Sequence, residues 1–120
     1  MTPLNPSDSE TLSQHGLDLL AQGSSAEAVK AFRYAIEADF ANYEAHHGLV
    51  RALRDAGRLE QSIAAALALT ALTPDDPLAH AALSISLQHA GHVPEAEAAA
   101  ARARILEWKL ELQSSENETA

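Results

Sequence analysis

Three glycines divide the sequence at equal intervals. Gly23, Gly57 and Gly91 follow one another at a spacing of 34 residues, and each lies between two segments rich in alanine and leucine. A fixed period of this length is typical of repeat proteins. Because glycine readily adopts the left-handed conformation that ends a helix, the spacing predicts three helix–turn–helix units. With glycine as the fifteenth residue of each unit, the repeats span 9–42, 43–76 and 77–110.

The composition favours helices in a single domain. The chain has 120 residues, of which 47% are apolar and 4% aromatic. One compact core is the most that this length can supply, and small unbranched side chains pack helices closely. We therefore predict an all-α fold in one domain over 9–113, with disordered polar tails at 1–8 and 114–120. The predicted helices are 9–22, 25–39, 43–56, 59–72, 77–90 and 94–113.

Several helix starts carry capping signals. The pattern Ser-x-x-Glu at Ser7 and Ser24 predicts two capping boxes, in which the hydroxyl and the carboxylate bind exposed backbone amides. Asn42 and Asp76 are predicted to cap the next two first helices, and Pro77 suits a first helical turn.

The aligned repeats agree at further positions. All three repeats have a leucine at one position of the first helix, at Leu19, Leu53 and Leu87. They also have a small residue at one position of the second helix, at Ala28, Ser62 and Ala96. On these residues the chain resembles the tetratricopeptide repeat family, in the form of a small bacterial protein with three repeats. The resemblance implies a right-handed superhelical solenoid with an extended final helix. The chain departs from the family pattern because it keeps the aromatic residue of the second helix only at Phe32 and the terminal proline only at Pro74.

The resemblance also implies a concave groove lined by five positions of each first helix. In this sequence those positions are Glu10, Ser13, Leu17, Leu20, Ala21, Glu44, His47, Arg51, Arg54, Asp55, Leu78, Ala81, Ile85, Gln88 and His89. The middle repeat is charged and its neighbours are largely apolar. A peptide or partner helix would therefore place apolar side chains along the outer repeats and a carboxylate near Arg51 and Arg54.

The arginines have a second interpretation. Arg51, Arg54 and Arg58 lie on one helix face, where they can pair with Asp55 and Glu44 on a solvated surface and contribute little. A clamp for the carboxylate tails of heat-shock chaperones is disfavoured, because the positions that would hold its basic and amide side chains are Ser13, Leu17, Gly48, Leu78 and Ala82.

The last helix carries two apolar faces. At 100° per residue, Ala96, Ala100, Ala103, Leu106 and Leu110 are predicted to pack inward. A second stripe, Ala98, Ala101, Ile105, Trp108 and Leu112, lies on nearly the opposite side. We expect this stripe to be the surface on which a fourth repeat would dock. It is either a modestly exposed end of the protein or a surface for a partner or a homodimer.

Charge and residue usage exclude several functions. Eight basic and 17 acidic residues give a net charge of −9, which disfavours nucleic acid and anionic membranes as partners. The N-terminal residues lack a secretory signal pattern, so we expect a cytoplasmic protein. No cysteine is present, and no phosphate loop, nucleophile elbow or zinc-binding His-Glu pattern occurs. We predict no catalysis, cofactor or metal, and interpret His46 and His80 as packing residues.

The sequence therefore predicts a non-catalytic adaptor or scaffold that binds another protein through its groove. Two alternatives stay open: a chaperone that holds a secretion or assembly client, and a regulatory subunit of an enzyme complex.

Overall fold

The computed structural model describes residues 6–119, with side chains for residues 8–117. The described part of the chain folds into six helices and contains no strand. The helices are α1 (Pro6–Ala21), α2 (Ser25–Ala38), α3 (Tyr43–Asp55), α4 (Leu59–Leu72), α5 (Pro77–His89) and α6 (Val93–Thr119). Consecutive helices pack as antiparallel pairs, so the predicted all-α solenoid of three helix–turn–helix units is confirmed. No helix over residues 6–119 is long and apolar enough to cross a membrane.

The three glycines end the first helix of each repeat as predicted. Their φ angles are +79° at Gly23, +78° at Gly57 and +83° at Gly91, in the region that side chains disfavour. In the first turn, the Gly23 amide donates to the Leu20 carbonyl and the Ser24 amide donates to the Leu19 carbonyl. The same two bonds recur 34 and 68 residues later, so each turn is a Schellman motif.

Two of the predicted helix caps are confirmed and one is wrong. Asn42 accepts a hydrogen bond from the Ala45 amide, and Asp76 accepts one from the Leu78 amide. Ser24 precedes α2 but its side chain makes no capping bond. The predicted box at Ser7 lies outside the residues whose side chains are described.

The chain ends differ from the predicted disordered tails. α1 begins at Pro6 and α6 continues to Thr119, so the prediction of unstructured tails is wrong for 6–8 and 114–119. No proline or glycine follows Pro94, and extending an existing helix avoids the cost of nucleation. Residues 1–5 and Ala120 lie outside the described residues.

The core is built around Phe32, which is fully buried between α1 and α3. Its ring packs against Gly16 on α1 and Gly48 on α3, where a β-carbon would lie 2.7 Å and 2.3 Å from ring atoms. A second cluster fills the space between the middle and last repeats with Val50, Ile63, Ala66, Leu69, Ala79, Leu83 and Ala99. Each repeat thus buries its apolar face against its neighbours, as expected for a solenoid.

Two histidines repeat the same contact between adjacent repeats. The Nε2 atom of His46 lies 2.9 Å from the Phe40 carbonyl oxygen, and that of His80 lies 2.8 Å from the Pro74 carbonyl oxygen. His46 is buried and His80 is half-buried. The predicted packing role is therefore confirmed, because each ring satisfies a carbonyl in the turn that precedes its helix.

The inner face of α6 is shorter than the sequence predicted. Ala96, Ala103 and Leu106 are buried as expected, and Ala99 joins them. Leu110 was expected to pack inward but is 50% exposed. α5 has only 13 residues and α6 has 27, so the C-terminal part of α6 extends beyond the helix against which it packs.

Candidate functional site

The first helices of the middle and last repeats enclose a shallow hollow of about 300 Å³. We call it the α3–α5 hollow. It is lined by His47, Val50, Arg51, Arg54, Leu78, Ala81, Ala82 and Ile85. The floor is apolar, and Leu78 and Ile85 remain 65% and 41% exposed at its edge. Seven residues separate these two side chains, which puts them on one face of α5 about 10 Å apart.

Arg54 is the most strongly perturbed charge in this hollow. Burial lowers the pKa of its guanidinium, Asp55 acts in the opposite direction, and Arg51 adds a smaller lowering effect. An arginine stays protonated in proteins, so the side chain presents a partly desolvated positive charge. Such a charge attracts a carboxylate more strongly than a fully hydrated one.

A chain of hydrogen bonds holds Arg54 in place. Its Nη1 atom donates to Ser86 Oγ at 3.5 Å, and Ser86 Oγ lies 2.7 Å from Ser62 Oγ. Ser62 Oγ donates to the Val50 carbonyl at 2.9 Å, which leaves the Ser86 hydroxyl as the donor between the two serines. Both serines are fully buried. Sequence analysis missed this chain of hydrogen bonds. The available signal was Ser62, because the equivalent residues of the other two repeats, Ala28 and Ala96, are both alanine.

Arg51 and His47 lie at the rim of the hollow. The Nε atom of Arg51 is 3.7 Å from a carboxylate oxygen of Asp55, and both side chains are largely exposed. His47 Nε2 is 3.7 Å from a carboxylate oxygen of Asp76 at the start of α5. The pairing of Arg51 with Asp55 matches the alternative interpretation of this face, whereas Arg54 is directed to Ser86.

The remaining groove positions do not form one continuous surface with this hollow. Glu44 lines a separate polar hollow of about 470 Å³ between the first and middle repeats. Leu17 and Leu20 are half-buried and pack against the first core cluster. Gln88 lines a small hollow between α5 and α6, and His89 is exposed with Nδ1 2.9 Å from the Ile85 carbonyl oxygen.

The contact between Phe32 and Gly48 identifies the surface that receives a following repeat. The equivalent of Phe32 in the last repeat is Ala100, and the equivalent of Gly16 is Ser84. Both line the small hollow of about 180 Å³ between α5 and α6. The expectation that a fourth repeat would dock on the apolar stripe is therefore wrong for Ala101 and Ile105. The counterpart of Trp108 is Phe40, whose ring does contact His46 of the following repeat.

The stripe lies instead on the outer surface of the protein. Its members Ala101 and Ile105 correspond to Arg33 and Glu37 on α2, which are both exposed. Ile105, Trp108 and Leu112 are 44%, 62% and 48% exposed. The role of the stripe in self-association or partner binding stays a prediction.

Comparison with known protein families decides the assignment. The tetratricopeptide repeat family matches residues 19–85, from the last turn of α1 into α5. The chain belongs to the tetratricopeptide repeat family. The repeats of this family in general form a protein-interaction fold, and the matched region contains the α3–α5 hollow. No curated protein is similar enough in sequence to match it.

Solved structures show the same fold at low sequence identity. The complex of the yeast Sti1 TPR2AB domain with pHSP90 has a TM-score of 0.84 and 18% identity, covering 96% of this chain and 45% of that chain. The Yersinia enterocolitica type III secretion translocator chaperone SycD has a TM-score of 0.77 and 18% identity, covering 92% and 86%. MamA MSR-1 C2 has a TM-score of 0.76 and 23% identity, covering 84% and 58%. The present chain thus spans little more than half of the MamA chain.

Proposed function

We propose that this protein is a non-catalytic adaptor that binds a peptide or helix of a partner protein in the α3–α5 hollow. The observation that carries the proposal is the combination, in one hollow, of two exposed apolar side chains with a partly desolvated arginine. Leu78 and Ile85 offer surface that is costly to leave in water, and Arg54 offers a charge-assisted hydrogen bond. The expected cytoplasmic location stays a prediction.

The geometry defines the ligand chemistry. Two apolar side chains about 10 Å apart match residues i and i+3 of a peptide in the polyproline II conformation, or i and i+7 of a helix. An adjacent carboxylate would reach Arg54, with Arg51 available after it leaves Asp55. A tail of the HSP90 type is not proposed, because Leu78 and Ala82 stand where the resemblance would require polar or basic side chains.

The test uses synthetic peptides and the complete chain. An acetylated peptide containing Leu-x-x-Leu followed by an aspartate is titrated into ¹⁵N-labelled protein, and the amide shifts of α3 and α5 are followed by NMR. Matched peptides carry serine for both leucines or asparagine for the aspartate. We expect shifts at the α3–α5 hollow with the first peptide and at least tenfold weaker binding with either control. The absence of shifts there with every peptide contradicts the proposal.

Protein variants locate the anchor. The double substitution Arg51→Ala/Arg54→Ala should weaken peptide binding by about 1.5–3 kcal/mol for each charge-assisted bond lost. Arg58→Ala is the matched control, because Arg58 is exposed and lies outside the lining of this hollow. Equal affinity in the double variant and the control would show that the arginines form only a solvated face.

A chaperone function is the second candidate. SycD is similar in size as well as fold, because the alignment covers most of both chains. A chaperone should keep an aggregation-prone client soluble only while bound, whereas an adaptor or a regulatory subunit should bind a partner that is already folded. An unfolding experiment on the isolated partner, followed by circular dichroism, shows whether that partner is folded on its own and so separates these cases.

A further inference from the structure

The α3–α5 hollow has two distinct ends. Contacts in the same order join α3 to α5, because His47 meets the residue just before α5 and Arg54 meets Ser86 near the end of α5. The two helices therefore run in the same direction along the hollow. We name its ends after the exposed apolar side chains that they contain. The Leu78 end and the Ile85 end lie about 10 Å apart.

The Leu78 end carries a carboxylate. Asp76 Oδ1 accepts a hydrogen bond from the Leu78 amide at 2.9 Å, and Asp76 Oδ2 lies 3.7 Å from His47 Nε2. The Asp76 side chain is 34% exposed, so a ligand can reach it. Histidine is ordinarily neutral at pH 8, so the pair then carries the negative charge of the carboxylate. Glu44, in the first turn of α3, adds a second negative charge one turn before His47.

Capping alone does not require the charge of Asp76. The equivalent residue before α3 is Asn42, whose side-chain oxygen caps that helix without a charge. Asparagine and aspartate are equally good residues at the start of a helix. The carboxylate at Asp76 therefore offers the hollow something that the cap does not need.

The Ile85 end carries two arginines and one carboxylate. Arg51 pairs with Asp55 at 3.7 Å, whereas the acceptor for Arg54 is the Ser86 hydroxyl. Both guanidinium groups stay protonated, so these three charged side chains give this end one net positive charge. Because Arg54 is partly desolvated and bound to a neutral group, its charge is available to a ligand.

A ligand that spans the hollow therefore meets opposite charges at its two ends. A basic side chain beside Asp76 and a carboxylate beside Arg54 would each face a charge of the opposite sign. A ligand with these charges exchanged would face like charges at both ends. Electrostatic complementarity of this kind selects the orientation and register of a bound segment.

We propose that the partner segment is dipolar, with a basic residue at the Leu78 end of the hollow and an acidic residue at the Ile85 end. Asp76 is then a specificity-determining residue as well as the cap of α5. The inference rests on the proposed function, because it concerns the same hollow. It adds a requirement that the proposed function does not make, namely that a basic residue at the Leu78 end strengthens binding.

A double-mutant cycle between protein and peptide tests the contact with Asp76. Acetylated, amidated peptides with the patterns Lys-Leu-x-x-Leu-Asp and Asn-Leu-x-x-Leu-Asp are dye-labelled and titrated with the complete chain at pH 8, and binding is followed by fluorescence anisotropy. We expect the lysine to tighten binding by about two- to fivefold, as for a partly exposed ion pair. In the variant Asp76→Asn this preference should disappear, because asparagine keeps the cap and removes the charge.

Asp75→Asn is the matched control. It removes the neighbouring carboxylate, which lines a different hollow beside α6, so the preference for lysine should survive. A preference that is absent from the wild type, or that persists in Asp76→Asn, overturns the inference and leaves the proposed function in place. If none of the peptides binds, the proposed function fails and the inference fails with it.

Paramagnetic broadening in NMR spectra tests the orientation. The protein has no cysteine, so a nitroxide on a cysteine placed before the lysine labels the peptide alone. Broadening falls steeply with distance, so we expect a larger effect on the Leu78 amide signal than on the Ile85 amide signal. A larger effect at Ile85 would overturn the proposed orientation.

Discussion

At the scale of single residues, the large ring of Phe32 fits into the core because the two residues that face it have no side chain. Its ring lies between Gly16 and Gly48, and a β-carbon at Gly48 would come within 2.3 Å of the ring. The equivalent pair one repeat later is Ala66 and Ala82, in which a smaller residue on α4 leaves room for a methyl group on α5. The two interfaces between repeats thus reach close packing by different distributions of volume.

Gly48→Ala should therefore destabilise the protein despite the higher helix propensity of alanine. Overpacking costs about 1–3 kcal/mol and the propensity gain offsets about 1 kcal/mol, so a net loss of up to about 2 kcal/mol in the free energy of unfolding is expected. Urea unfolding followed by circular dichroism measures it. In the Gly48→Ala background, Phe32→Leu should recover part of the loss. A single variant as stable as the wild type would mean that the ring is not confined by this glycine.

At the scale of elements, the start of α3 combines a cap with a contact to α1. The Asn42 side-chain oxygen accepts from the Ala45 amide, while its nitrogen donates to Ser9 Oγ at 2.8 Å and Ser13 Oγ at 3.1 Å. Ser9 in turn donates to the Ala35 carbonyl on α2 at 2.7 Å. One side chain therefore begins a helix and joins three helices of two repeats.

Replacement of Asn42 separates these two contributions. Asn42→Asp keeps the capping oxygen but removes the hydrogen bonds to Ser9 and Ser13, so we expect a loss of about 1 kcal/mol in the free energy of unfolding. Asn42→Ala removes these bonds and the cap as well, so we expect a loss of about 2–3 kcal/mol. Ser24→Ala is the control, because Ser24 occupies the same place before α2 without a capping bond. It should change stability by less than about 0.5 kcal/mol. Equal effects of all three substitutions in urea unfolding would contradict this assignment.

At the scale of the whole molecule, each helix is stabilised mainly by its sequence neighbours. α3 and α4 have packed helices on both sides, whereas α6 packs against α5 alone among the described helices. In a linear array of this kind, the free energy of local opening falls toward the ends. Native-state hydrogen exchange should therefore show the greatest protection in α3 and α4 and the least in the C-terminal half of α6. Uniform protection of all six helices would indicate a single cooperative unit instead.

The sequence by itself determined the period, the turns and the order of the helices. These features depend on local backbone chemistry, since glycine is required at positive φ and an asparagine or aspartate oxygen can reach the next amides of its own chain. The spacing of Gly23, Gly57 and Gly91 was therefore sufficient to assign all three units. The resemblance to the tetratricopeptide repeat family also placed Arg51, Arg54 and Ile85 in one predicted groove, and the structure brings them together in the α3–α5 hollow.

Tertiary structure alone decided which helix faces are buried against a neighbouring helix and which stay exposed. Leu110 has the helical angle of a core residue, but α5 ends before reaching it, so length rather than periodicity leaves it exposed. The stripe on α6 has the period of an interface, but only the packing of Phe32 on Gly48 shows that a following repeat would dock on the face of Ala100 rather than on Ala101 and Ile105. Periodicity specifies which residues share a face. The volumes and lengths of the neighbouring helices specify what that face meets, and a single sequence does not encode these as local signals.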